Sequence, residues 1–89
     1  MPVSTMPVIE RIARVLAGQH YSLNAQGSDA HAAGAVDAAW PDHVQDALAV
    51  LHTLREPDAG MAGVGDVEIW RRMVTAAIEA QPRPTKGAA

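Results

Sequence analysis

Four histidines, His20, His31, His43 and His52, are the side chains best suited to hold a transition metal or move a proton near neutral pH. A zinc site wants converging ligands, usually histidines one helical turn apart or paired with cysteines. No two of these histidines have that spacing, and the chain has no cysteine. His43 and His52 fall on one predicted helix, about 180° apart around its axis. They cannot share an ion within one chain. His20 and His43 could meet in space beside Asp42 or Asp46. The expectation is exposed or capping histidines, with no bound metal and no cofactor.

The carboxylates Asp42, Asp46, Glu56, Asp58, Asp66 and Glu68 crowd toward predicted helix ends. General acid–base chemistry needs a carboxylate with a shifted pKa in a cleft. Capping and helix-dipole roles account for these positions more simply. Asp42 and Asp46 stand one turn apart with like charge, which is mildly unfavourable on a helix. Such a pair could mark an acidic contact surface. No nucleophile with an adjacent base is visible, so no enzymatic activity is expected.

The stretch "REPDAGMAGVGDVEIW", residues 55–70, is rich in glycine. A phosphate-binding loop needs a glycine pattern after a strand, commonly with a lysine behind it. Here no strand precedes Gly63 and Gly65, no lysine follows, and Asp66 would repel phosphate. The stretch reads as a corner between helices, with Gly63 and Gly65 turning the chain through positive φ.

These residues are positioned by a small helical frame. The chain has 89 residues, which suits one domain. No apolar run approaches the roughly 18 residues that span a bilayer. The start lacks the basic lead and apolar core of a signal peptide. The absence of cysteine fits a reducing, cytoplasmic setting. Aromatics are few, and alanine, the best helix former, is abundant.

Residues 1–6 read as a flexible lead. Val8, Ile9, Ile12, Val15 and Leu16 make one apolar face, predicting a first helix over 7–18. Pro7 suits its first turn, Glu10 and Arg14 pair across one turn, and Gly18 stops it. Residues 19–40 show no clear period. They are expected to form a long loop, with a turn or two of helix near its end capped by Ser28 or Asp29. Val44, Ala47, Leu48, Leu51 and Leu54 predict a second helix over 41–55, opened by Pro41 and limited by Pro57. Pro57, Asp58, Ala59 and Met61 suit one short helical turn, with Met61 and Val64 plugging the end of the core. Asp66 caps a third helix over 66–80, with Val67, Trp70, Met73, Val74, Ala77 and Ile78 on one face and Glu68 paired with Arg72. Residues 82–89 read as a disordered basic tail. The fold class is all-α. It is a small three-helix bundle over 7–81, with a short extra helical turn and a long loop between helices one and two.

The corner and third helix also carry a resemblance. Arg55, Glu56, Pro57, Met61, Gly65, Trp70 and Met73 resemble a pattern in small uncharacterised proteins of alphaproteobacterial genomes and prophages. The segment "IERIARVLAG" and the "AW" before the second helix look similar too, so the likeness covers residues 8–80. The resemblance implies a bacterial or phage origin and no particular activity.

Formal net charge is −3. A strongly basic balance would indicate nucleic acid, and this chain lacks one. The leading expectation is a protein–protein interaction module. It could be a phage or prophage accessory or inhibitor protein, or a self-associating one, with another protein or a second copy as partner. The candidate contact residues are Trp40, Asp42, Asp46, Arg71 and Arg72. Trp70 lies in phase with its helix stripe and is expected in the core; Trp40 is the more exposed candidate anchor. Ile69 and Val50 fall off their stripes and could meet a partner. The alternative is a nucleic-acid-associated regulator using the arginines of helices one and three, Arg11, Arg14, Arg71 and Arg72, whose outer faces could form a small basic patch. Membrane partners are not expected.

Overall fold

The structure is a computed structural model that describes residues 3–25 and 29–81, with side chains described outside 21–33. Its elements are helices α1 (Val8–Ala25) and α2 (Asp29–Ala39), a 3-10 turn (Trp40–His43), and helices α3 (Val44–Leu54), α4 (Ala59–Ala62) and α5 (Val67–Glu79). The described residues are all-α, with four main helices and the single turn of α4. The expected tail over 82–89 and the cap at Ser28 lie outside the described residues.

The core forms where α1, α3 and α5 meet. Ile9 and Ala13 from α1, Val44, Ala47 and Leu51 from α3, and Val74 from α5 are buried together. Ile12, Leu16, Leu48, Trp40, Trp70, Ala77 and Ile78 pack around them. Among the described side chains, only Ile9 and Leu51 are large with almost no exposure. Ala13, Ala17 and Ala47 are fully buried. Alanine buries little area, but its small size lets helix axes come close, so dispersion contacts between backbones replace contacts between bulky side chains.

The greatest departure from expectation lies between residues 19 and 39. The first helix does not stop at Gly18. It runs on to Ala25, and α2 occupies half of the expected loop. Gly18 is helical, and a Cβ built there would sit 3.8 Å from Val36 Cγ2 of α2. Glycine at this point borders the neighbouring helix. The loop expectation failed because α2, "DAHAAGAVDAA", has small apolar residues on several sides and shows no stripe. Alanine content alone favours the helix there, and packing on α1 supplies what amphipathicity does not. Arg14 of α1 ties the pair by donating to Asp37 of α2 at 2.7 Å.

Pro41 also sits differently from expectation. It belongs to the 3-10 turn ahead of α3, and the α-helix begins at Val44. The tighter turn joins α2 to α3 without an intervening loop. Gly63 has an ordinary helical φ of −72°. No glycine in the corner takes positive φ, so α4 itself reverses the chain.

Alanine at Gly18 or Gly34 tests the two helices of the first hairpin. A methyl at Gly18 would meet Val36 at ordinary contact distance, and one at Gly34 would meet nothing within 4 Å. Each variant is expected to gain about 0.5–1 kcal/mol in urea unfolding, from helix propensity and a less flexible unfolded chain. A loss of about 1 kcal/mol for Gly18→Ala would instead mean that the helix ends there in a left-handed glycine.

Candidate interaction surface

The corner between α3 and α5 is built from two aspartate caps. Asp58 is extended at the N-terminus of α4, and its Oδ1 accepts from the Met61 backbone N–H at 2.9 Å. Asp66 repeats this at α5, with Oδ1 accepting from the Ile69 N–H at 2.9 Å. Each satisfies an otherwise unpaired donor and places negative charge at a positive helix end. The cap at Asp66 follows the expectation. The Asp58 cap was open to reading from an aspartate after a proline and three residues before an apolar anchor.

Trp70 then fastens α5 to the end of α3. Its indole Nε1–H donates to the Leu54 carbonyl at 2.7 Å. That carbonyl belongs to the last turn of α3, where no later helical N–H reaches it. The ring packs against the core while its polar edge closes a helix end. Arg71 adds a second tie, donating from Nη2 to Glu56 Oε1 at 2.9 Å across the corner. The buried Arg71 Nε has no hydrogen-bond partner. The expected Glu68–Arg72 pair does not form: both side chains are exposed, where solvent competes with such a pair, and the ion pair of this helix is instead Arg71–Glu56.

The tied corner frames an apolar hollow of about 340 Å³, lined chiefly by Pro57, Met61, Val64, Ile69, Trp70 and Met73. Several walls face solvent: Val64 is 90% exposed, Met73 63% and Ile69 47%. Val64 therefore does not plug the core, and Met73 leaves the stripe assigned to it. The apolar arc of α5 is wider than the surface α3 and α1 cover, so its flank remains open. Val8 and Val15 are exposed on α1 for the same reason, and Leu54 is exposed at the end of α3. Ile69 and Val50 are exposed, as their off-stripe positions implied.

The other candidates are scattered. Trp40 is half-buried against the core, and the Arg14 guanidinium lies 5.5 Å above its ring. Arg14 also pairs with Glu10 at 2.9 Å, as its spacing implied. The Asp37 hydrogen bond first, and Glu10 second, raise the Arg14 pKa above its ordinary value. This arginine stays charged, clamped between α1, α2 and the tryptophan. Asp42 and Asp46 are exposed near the start of α3 and do not adjoin the corner hollow. The His20 and His43 rings do approach, with centroids 6.0 Å apart and planes tilted by 52°. Among the described residues, no group of three or more histidines, aspartates or glutamates is placed to hold a metal. The His31 side chain lies outside the described residues. No described helix is long and apolar enough to cross a membrane.

Compared with protein-family models, curated proteins and solved structures, the chain matches none of them.

Trp70→Phe retains most of the ring packing and removes the donor to Leu54. It is expected to cost about 0.5–1.5 kcal/mol in urea unfolding. Glu56→Gln, which weakens an exposed pair, should cost about 0–1 kcal/mol. Equal costs would remove the indole hydrogen bond as the stronger tie.

Proposed function

We propose that the chain is a small helical protein-binding module, without enzymatic activity, whose contact face is the corner hollow. The observation that carries this reading is the solvent-facing wall of Val64, Ile69 and Met73 on a corner fixed by two caps and the Trp70 tie. Apolar side chains held open on a fixed frame lose little conformational entropy when a partner covers them. A contiguous apolar hollow of this kind is a common mark of a docking site. The contact therefore centres on Ile69 and Met73, with Arg72 beside them on the same helix and Arg71 fixed by Glu56. An accessory or inhibitory role in a bacterial or phage setting suits a module of this size, and the resemblance bears only on that origin.

The nucleic-acid reading has less support. Arg14 and Arg71 already hold acidic partners, which leaves Arg11, Arg55 and Arg72 as arginines without an ion pair among the described residues. Net charge of −3 opposes a phosphate backbone.

The test is affinity capture from bacterial lysate with and without nuclease, using wild type and Met73→Asp side by side. Met73 is exposed, so the change should alter stability by only about 0.5 kcal/mol. A stoichiometric protein that survives nuclease and is lost with Met73→Asp is the expected result. Equal capture by both proteins would remove the hollow as the contact. Material lost on nuclease treatment would favour the nucleic-acid reading.

A further inference from the structure

We infer that the occupant of the corner hollow is the exposed strip of α1 from a second copy of the chain, in a reciprocal dimer. The inference rests on the reading of the hollow as a docking face. Val8, Ile12 and Val15 follow one another at steps of four and three residues, and Arg11 stands among them. This strip flanks the buried face of Ile9, Ala13 and Ala17; Val8 and Val15 are exposed, Val15 by 61%, and Ile12 between them is half-buried against the core. An apolar strip with i, i+4, i+7 anchors is the form in which a helix enters a groove. Its anchors span about 10 Å of helix. A hollow of about 340 Å³ suits a few such side chains and is too small for a large ligand.

Charge selects this strip. Asp66 lines the hollow, and Asp58 adjoins Pro57 on its wall. Each aspartate uses Oδ1 for its cap, and no described hydrogen bond uses Oδ2. Arg11 is exposed and has no ion pair among the described residues. An apolar hollow with Asp66 in its lining therefore faces an apolar strip that carries Arg11, both on the same chain. Two-fold pairing would use both surfaces of both copies and leave neither open.

The experiment is sedimentation equilibrium over a range of concentrations, with helix content followed by circular dichroism. Wild type is expected to dimerise. Val15→Asp and Met73→Asp, both at exposed positions, should each be folded monomers alone. Mixed together they should recover a dimer, because one sound strip then meets one sound hollow. Arg11→Glu should raise the dimer Kd by roughly tenfold or more. A wild type that stays monomeric at every concentration would overturn the inference, while the capture experiment decides the docking face independently. A dimer broken by Met73→Asp but indifferent to Val15→Asp would overturn the strip as occupant and retain the hollow. A dimer broken by neither variant would place the contact elsewhere and overturn the inference too.

Discussion

Close approach of helices at buried alanine is the constraint on which the rest of this structure depends. Ala13, Ala17 and Ala47 have no exposed surface, and among the described side chains only Ile9 and Leu51 are large with almost none. A chain of this length buries a modest share of its unfolded surface. With so few bulky residues, stability has to come from many backbone-proximal contacts. Helices that separate slightly would lose most of them, since dispersion falls steeply with distance.

A core built this way needs its helix ends held in register. The corner does so with directional bonds: two aspartate caps, the Trp70 indole on the Leu54 carbonyl and the Arg71–Glu56 pair. At the other end, Arg14 joins α1 to α2 and lies over Trp40. Both tryptophans thus act at seams, where a large ring fills space that alanine cannot and a polar or cationic contact fixes its position. Apolar packing in the middle and directional ties at the ends divide the work.

What could be read from the sequence follows from how each element is stabilised. The α3 and α5 stripes were visible because those helices bury one face, and the Asp66 cap because capping is local. The Glu10–Arg14 pair was equally local. By contrast α2 is held by alanine content and by its neighbour, and neither produces a period. Gly18 looked like a stop because a glycine's φ depends on what surrounds it. The local pattern pointed to Glu68–Arg72, whereas the pair that forms, Arg71–Glu56, depends on the corner bringing Glu56 alongside. Of the five contact residues read from the sequence, Trp40 lies at the core edge and Arg71 in an ion pair. Asp42 and Asp46 lie away from the hollow, and Arg71 and Arg72 both stand between its lining residues Trp70 and Met73 in sequence. The hollow was missed because Val64 and Met73 had been assigned to the core. A stripe shows which residues are apolar, but only the placement of the next helix shows how many are covered.

That surplus of apolar arc is itself informative. On α5 the apolar positions run from Ile78 and Val74 through Ala77 and Trp70 to Met73 and Ile69, and the last two are open. On α1 they run from Ile9 through Ile12 to Val8 and Val15. A helix needing only its intramolecular contacts would place polar residues on these flanks, at little cost to the fold. Exposed apolar area invites non-specific association, which mild net charge does little to oppose. Scattered single residues would call for no explanation. Two separate flanks of similar extent, with an acid lining the first and an arginine within the second, are better accounted for as halves of one contact. On the proposed reading the extra width of both helices is an intermolecular extension of the same apolar packing that holds the monomer.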